Sequence, residues 1–436
     1  MSEEDSSAAQ ETFSRREIRT VALAIIAGVF FGGIATGVAF PTLPLLDETL
    51  VISAVMLSLI LSANRISRLF MNTPAGTIID RVGTRVPMII GLYTQALAPF
   101  GYVVGLYTPS YILGTVPILG EVSLPGLVFV LSRFVWGIGS AFVFLGAFAT
   151  ITYVTTTANR GQWVGYMRGG QSLGFPTGLV VGGVLTDIAS MEVAFLVAGV
   201  LALAAGTIAA IVLPDVHSGA DERSARLRDI PALVRSRPPV ALIGFGNFTV
   251  RFLWGGIILS TLARYASVHE MELTVLGAAG ISGIVMGLGV VTMGGTTVLT
   301  GWLSDRLQDR SILTLPAFCS MCLGFLIIAY VPTIEALLVA IVLIGAGLGA
   351  AAPAMLAILG DVTPGDELGR MGSVYNVMGD IGLSLGPLVA IPAVDLWFGY
   401  QLTYVLCAAL VLSCLILVSV PLLRNPEITT GTIDAD

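Results

Sequence analysis

The sequence predicts an all-α membrane protein, with twelve spanning helices in two pseudo-symmetric bundles of six. Three observations carry that expectation. Hydrophobic residues make up 55% of the 436 residues and charged residues only 11%, less than half the roughly 25% of soluble domains. The apolar residues fall in long blocks, and each block reaches the roughly 20 residues a helix needs to cross hydrocarbon. The charged turn GTIIDRVGTR from Gly76 returns in part as GWLSDRLQDR from Gly301. Gly76, Asp80, Arg81 and Arg85 thus recur as Gly301, Asp305, Arg306 and Arg310, an offset of 225.

The first expected span, 20–44, follows Arg15, Arg16 and Arg19; it is too long for a signal peptide and no A-x-A-like site follows it. Spans 52–79 and 87–107 flank the first copy of the charged turn. A long connection leads to span 125–153, which carries Arg133, and to span 161–185, which carries a glycine ladder. Span 191–213 closes the first bundle. The polar stretch after it, with Pro238 and Pro239 at its end, reads as a linker with one short amphipathic helix. Spans 239–263, 274–300, 311–331, 334–360, 370–394 and 399–423 form the second bundle. The expected organisation is therefore an N-terminal tail 1–19, a bundle 20–213, a linker 214–238, a bundle 239–423 and a C-terminal tail 424–436.

A second echo supports duplication. GGQSLGFPTG near Gly170 resembles GDIGLSLGPLVA near Gly379, and Gly174 matches Gly386 at an offset of 212. The long connection from Tyr107 to Leu124 in the first half accounts for the difference between the two offsets.

Orientation follows from arginine, because the chain has no lysine. Fifteen arginines fall in segments on one side and only Arg264 on the other. That asymmetry predicts both termini in the cytoplasm of a plasma-membrane protein. The net charge of −7 sits in tails and loops. Cys319, Cys322, Cys407 and Cys414 all lie inside apolar spans without histidine partners, so packing is expected rather than a disulfide or a metal site. No Walker loop, HExxH, DDxxD pair or Gly-x-Ser-x-Gly occurs, which argues against an enzyme or an ATP-driven pump. No cofactor and no nucleic acid are expected, and the chain is expected to be a monomer in the lipid bilayer.

GTIIDRVGTR resembles the signature GxLaDRxGRK between helices 2 and 3 of the major facilitator superfamily, with Thr84 at the usual arginine position. RFVWGIGSA from Arg133 is similar to that family's helix 4 motif, with Trp136 at the usual glutamine. Gly161, Gly170 and Gly174 have the spacing of the helix 5 motif of its drug/proton antiporters, although Pro176 is displaced by one. The resemblance covers essentially the whole chain. It implies alternating access, a conformational latch at Gly76, Asp80, Arg81, Arg85, Asp305 and Arg306, and control of occlusion or proton leak by helix 5. Gln308 weakens the second copy of the latch.

Residues at membrane depth supply the remaining candidates. Gly170, Gly174 and Gly178, with Gly386 on helix 11, make small-residue ridges for close helix packing, and Pro176 and Pro387 are expected to bend their helices. An arginine at a helix centre costs about 2.5–3.5 kcal/mol on insertion scales, so Arg65, Arg68, Arg133, Arg168 and Arg251 should face the interior or a wet cavity, with Arg168, nearer the cytoplasmic end, placed to snorkel. Arg65, Arg68, Asn72, Asn247, Arg251 and Asn376 are the expected substrate-binding residues. Asp380, the carboxylate placed well inside a span, is the expected proton carrier, with Arg133 either proton-linked or structural. Five arginines against one aspartate leave two possibilities open: an anionic substrate supplies the balance, or backbone carbonyls take up some of the arginines. The leading expectation is proton-coupled efflux of a small molecule. The alternatives are uptake or exchange of an organic anion and, more remotely, a non-transporting sensor.

Overall fold

The computed structural model describes residues 14–116, 120–156, 159–216, 238–304, 306–307, 310–361, 363 and 368–419. Most of the expected linker and the C-terminal tail lie outside them, as does Asp305. The described chain is helical apart from one small hairpin.

In the first half, α1 spans Arg15–Thr42, α2 Ala54–Val82, α3 Arg85–Tyr107, α4 Leu124–Val154, α5 Arg160–Ile188 and α6 Met191–Val212. In the second half, α7 runs Pro238–Arg251, widens into a π turn at Phe252–Ile258 and resumes as Leu259–Val268. Helix α8 spans Ala278–Ser304, α9 Thr314–Tyr330, α10 Ile334–Asp361 and α11 Leu368–Pro392, and α12 spans Gly399–Cys414. Ten of these helical runs are long and apolar enough to cross a membrane. Helix α9 has 17 residues, and the 29-residue α5 is kept less apolar by its glycines and polar side chains.

Local chemistry explains several boundaries. Helix α1 starts five residues before the expected span because Ser14 and Glu17 form a reciprocal capping box. Ser53, Ser123 and Ser190 cap α2, α4 and α6 by accepting a backbone N–H with their hydroxyls. Helix α2 ends where Gly83 takes φ 89°, a conformation open to glycine. The connection after α3 is not irregular: β1 (Ile112–Val116) pairs antiparallel with β2 (Gly120–Ser123). All five residues of β1 are exposed, so no alternation of apolar and polar residues marked this hairpin in the sequence.

The packing repeats between halves. Helix pairs α1–α5, α2–α4, α3–α4 and α3–α6 recur as α7–α11, α8–α10, α9–α10 and α9–α12. The two glycine ridges occupy equivalent places in that scheme. Gly174 and Gly178 lie against the carbonyls of Phe30 and Ile34 on α1, and a Cβ at either would collide with them. Gly386 meets Gly256 of α7 backbone to backbone. Between the halves, the principal seams are α2 against α11 and α5 against α8.

Candidate functional site

The seam of α2 with α7 and α11 gathers the charges. Asp380, on α11, is 3.1 Å from Arg251 Nη1 of α7 through its Oδ1, and the same oxygen is 3.9 Å from Arg68 Nη2 of α2. One carboxylate oxygen therefore serves an arginine from each half. The side chains of Arg68, Arg251 and Asp380 keep 31%, 37% and 22% of their surface exposed, so the cluster borders an open cleft. Gly379 makes the room, since a Cβ there would come within 2.6 Å of Arg251 Cδ. The repeat that begins at Gly379 did not tie it to the charged cluster, because its requirement arises from a side chain on another helix.

Arg65 sits differently. It is buried, and its Nη1 donates to the carbonyl of Gly255 in the π turn and, at 2.7 Å, to that of Leu383 on α11. Its guanidinium also lies 5.3 Å from the centre of the Phe40 ring. Expected to line a substrate pocket, Arg65 instead has its donors turned into protein backbone. Asn247 is likewise buried, donating to the Tyr375 carbonyl at 2.7 Å. Arg133 is enclosed within the first half: it donates to Asn64 Oδ1 at 2.9 Å and to the Ile60 carbonyl at 3.3 Å. Arg168 is exposed on α5. Asn72 and Asn376 lie four residues from Arg68 and Asp380 on the same helix faces. Four arginines (65, 68, 133, 251) and one aspartate leave a formal surplus of three positive charges here. Backbone carbonyls answer part of it.

The two ends of the molecule differ. At the end away from most arginines, the halves are joined by polar contacts. Arg264 of α7 pairs with Asp47, which follows α1, and at 3.0 Å with Asp395, which follows α11. Ser267 donates to Glu48. Asp187, at the end of α5, accepts the backbone N–H groups of Gly277 and Gly280 at 2.7 and 2.6 Å, capping the start of α8. Gly183 and Gly283 let α5 and α8 touch at backbone level. The sequence placed Arg264 at this end, but its pairing with Asp47 and Asp395 depends on long-range packing.

At the arginine-rich end the same helices stand apart. Among the described residues, Gly161, Gly165 and Gly169 on α5, Gly294, Gly295 and Gly301 on α8 and Gly76 on α2 have no neighbour from outside their own helix within 4 Å of where a Cβ would be. Asp80 and Arg81 are exposed, and among the described residues Asp80 forms no ion pair. Arg85 donates to the Ala210 carbonyl within its own half, and Arg306 lies over the Trp302 ring. Among the described residues the halves are thus joined at one end and stand apart at the other, with the charged cluster between the two ends.

Two related six-helix bundles, meeting along two seams and opened at one end, define a membrane carrier. The comparisons give the family. The Major Facilitator Superfamily model matches residues 25–333 and 283–434, and the chain belongs to that family of transporters. It is 23% identical over 365 residues to Multidrug resistance protein 1 of Bacillus subtilis, covering 84% of this chain and 87% of that protein. It is 24% identical over 187 residues to the quinolone resistance protein NorA of Staphylococcus aureus, 43% of each. Among solved structures, it superposes on a bacterial homolog of the human lysosomal transporter Spinster in an inward-facing, unoccupied conformation (TM-score 0.73, 13% identity, 96% of this chain and 99% of that one). A D-xylose–proton symporter gives a TM-score of 0.71 at 16% identity, over 92% of this chain and 97% of that one. The all-α fold and the absence of an enzyme motif both agree with this membership.

Proposed function

We propose that the chain is a secondary transporter that exports a small molecule in exchange for protons, with Asp380 carrying the proton. The observation that supports it most is the sharing of one Asp380 oxygen by Arg251 of its own half and Arg68 of the other. Protonation removes the charge that both arginines hold, and Arg68 is then no longer tied across the seam. A proton arriving at Asp380 therefore changes how the halves are joined, which is what coupling requires. The export direction rests on the resistance proteins among the relatives.

By the positive-inside rule, the arginine-rich end is the cytoplasmic one, both termini included, and the conformation described is open to the cytoplasm. Cargo would enter from there and meet Arg68, Asn72, Arg251 and Asn376. Asp80, Arg81 and Arg85, with Arg306 of the second half, would come together as a latch when that side closes; Asp305, the other expected member, lies outside the described residues. Glycines without neighbours at this end leave room for that approach.

The test is transport in proteoliposomes under an imposed pH gradient. Cargo uptake driven by an acidic lumen should vanish in Asp380→Asn, and transport that ignores the pH gradient refutes the proposal. A second reading, uptake of an organic anion with a proton, is favoured by the two arginines, Arg68 and Arg251, that face one aspartate at the cluster. The two differ in sign. Neutralising Asp380 frees both arginines, so an anionic cargo binds more tightly as pH falls, whereas a cargo exchanged against protons binds less tightly. Cargo affinity measured from pH 8 down to pH 5 separates them.

A further inference from the structure

We infer that Arg65 is a positioning residue that holds the outer end of the transporter shut by plugging into a socket of two backbone carbonyls, and that it takes no part in binding cargo. The inference needs only the alternating-access motion of the family and holds for either direction of transport.

Three features make the socket. Helix α7 leaves α-helical geometry at Phe252–Ile258, and a π turn, wider by one residue, turns carbonyls out of the regular ladder. Gly255 lies in that turn, and a Cβ on it would run into Leu383 Cδ1 and stand 3.7 Å from Arg65 Nη1. Gly256 and Gly386 then let α7 and α11 meet backbone to backbone. The carbonyls of Gly255 and Leu383 are thereby brought within reach of one guanidinium nitrogen from the opposite half.

Arg65 and Arg68 are three residues apart on α2 and grip neighbouring rungs of α11, Arg68 through the Asp380 side chain and Arg65 through the Leu383 backbone three residues on. The two grips differ in kind. The Asp380 grip rests on a side-chain charge, whereas the Leu383 carbonyl carries none. Arg65 therefore supplies a contact across the halves that persists when Asp380 is neutral. It breaks only when α2 moves away from α7 and α11. Cargo could displace Arg68 from its exposed carboxylate; Arg65 is enclosed and its donors are occupied.

Removing the guanidinium takes away one side of this contact and leaves the partly buried Leu383 carbonyl, whose helical partner four residues on is Pro387 and has no N–H, short of a donor in the closed arrangement, whereas water reaches it when the seam opens. Arg65→Met should thus raise the population open at the outer end by about tenfold or more, the factor that one unpaired buried acceptor carries.

The full-length protein is used, with Cys319 and Cys322, the exposed and half-exposed thiols, changed to serine. Spin labels at Thr49→Cys and Glu272→Cys report on the outer end, and labels at Val82→Cys and Leu303→Cys on the arginine-rich end. In Arg65→Met the outer distance should lengthen and the inner one shorten, and Arg65→Lys should recover part of the change. Gly255→Ala, which keeps Arg65 but forces Leu383 away, should shift both distances in the same sense and decides the matter if Arg65→Met does not fold. Distances unchanged from the parent in either folded variant overturn the inference. Failure of both to fold also overturns it, by assigning Arg65 to the stability of the bundle.

Discussion

Replacing Arg264 with alanine should open the outer end, and the size of the effect can be worked from the contacts. Arg264 pairs with Asp395 within the second half and with Asp47 across the halves. The Asp395 pair belongs to one rigid half and is lost equally in both conformations, so it cancels. Only the Asp47 pair distinguishes closed from open. Breaking a buried ion pair costs about 3–5 kcal/mol and an exposed one about 0–1 kcal/mol. The side chains involved are 15% and 25% exposed, which places the cross-half contact between those limits, at about 2 kcal/mol. At 1.4 kcal/mol per tenfold, that is about a 30-fold rise in the outward-open population. Asp47 and Asp395 are also left facing one another without their shared cation, which adds to the shift in the same direction.

The assay is the distance between labels at Thr49→Cys and Glu272→Cys, with accessibility of a single outer cysteine as a second readout. Asp47→Asn should reproduce the shift, and Arg264→Ala combined with Asp47→Asn should add little to either alone, since both remove one interaction. Asp395→Asn should move the equilibrium much less. An Arg264→Ala protein whose outer end stays closed, or an Asp395→Asn protein that opens as far as Asp47→Asn, refutes the reasoning.

Two further outcomes separate seams from cores. Gly183→Leu puts a side chain where the Ala279 carbonyl already lies, so the α5–α8 seam must part and the same outer distance should lengthen, with the bundles themselves intact. Arg133→Met leaves Asn64 Oδ1 and the Ile60 carbonyl without their donor inside one half; the thermal midpoint of the detergent-solubilised protein should drop, corresponding to about 2–5 kcal/mol, while the distances between halves stay as in the parent.

Arg65 and Arg133 show where reading the sequence stops. Both are arginines inside apolar spans, and insertion cost requires both to face the interior. Nothing in the chain distinguishes the one held within its own half from the one that crosses to the other. That difference depends on acceptors 190 and 318 residues away from Arg65, against 73 and 69 from Arg133. Asn247 shares a helix face with Arg251, as period 3.6 requires, yet Gly379 and the Tyr375 carbonyl take it into the interior while Arg251 reaches the cleft. The hairpin between α3 and α4 was hidden for another reason: all five residues of β1 are exposed, so no alternation of apolar and polar residues marked it.

Composition and short-range spacing are legible along the chain. Apolar length made the spans, repeated spacing at Gly76 and Gly301 and at Gly174 and Gly386 made the duplication, and small residues four apart made the ridge on α5. These properties travel with the chain because hydrocarbon solvation and helical period act locally. The tertiary structure alone decided which charges meet. Asp380 acquired an arginine from each half, Arg65 acquired a carbonyl socket, and Arg264 acquired two aspartates at the closed end. Each arrangement joins three segments far apart in sequence at distances of a few ångströms, and electrostatic partners at that range are chosen by packing.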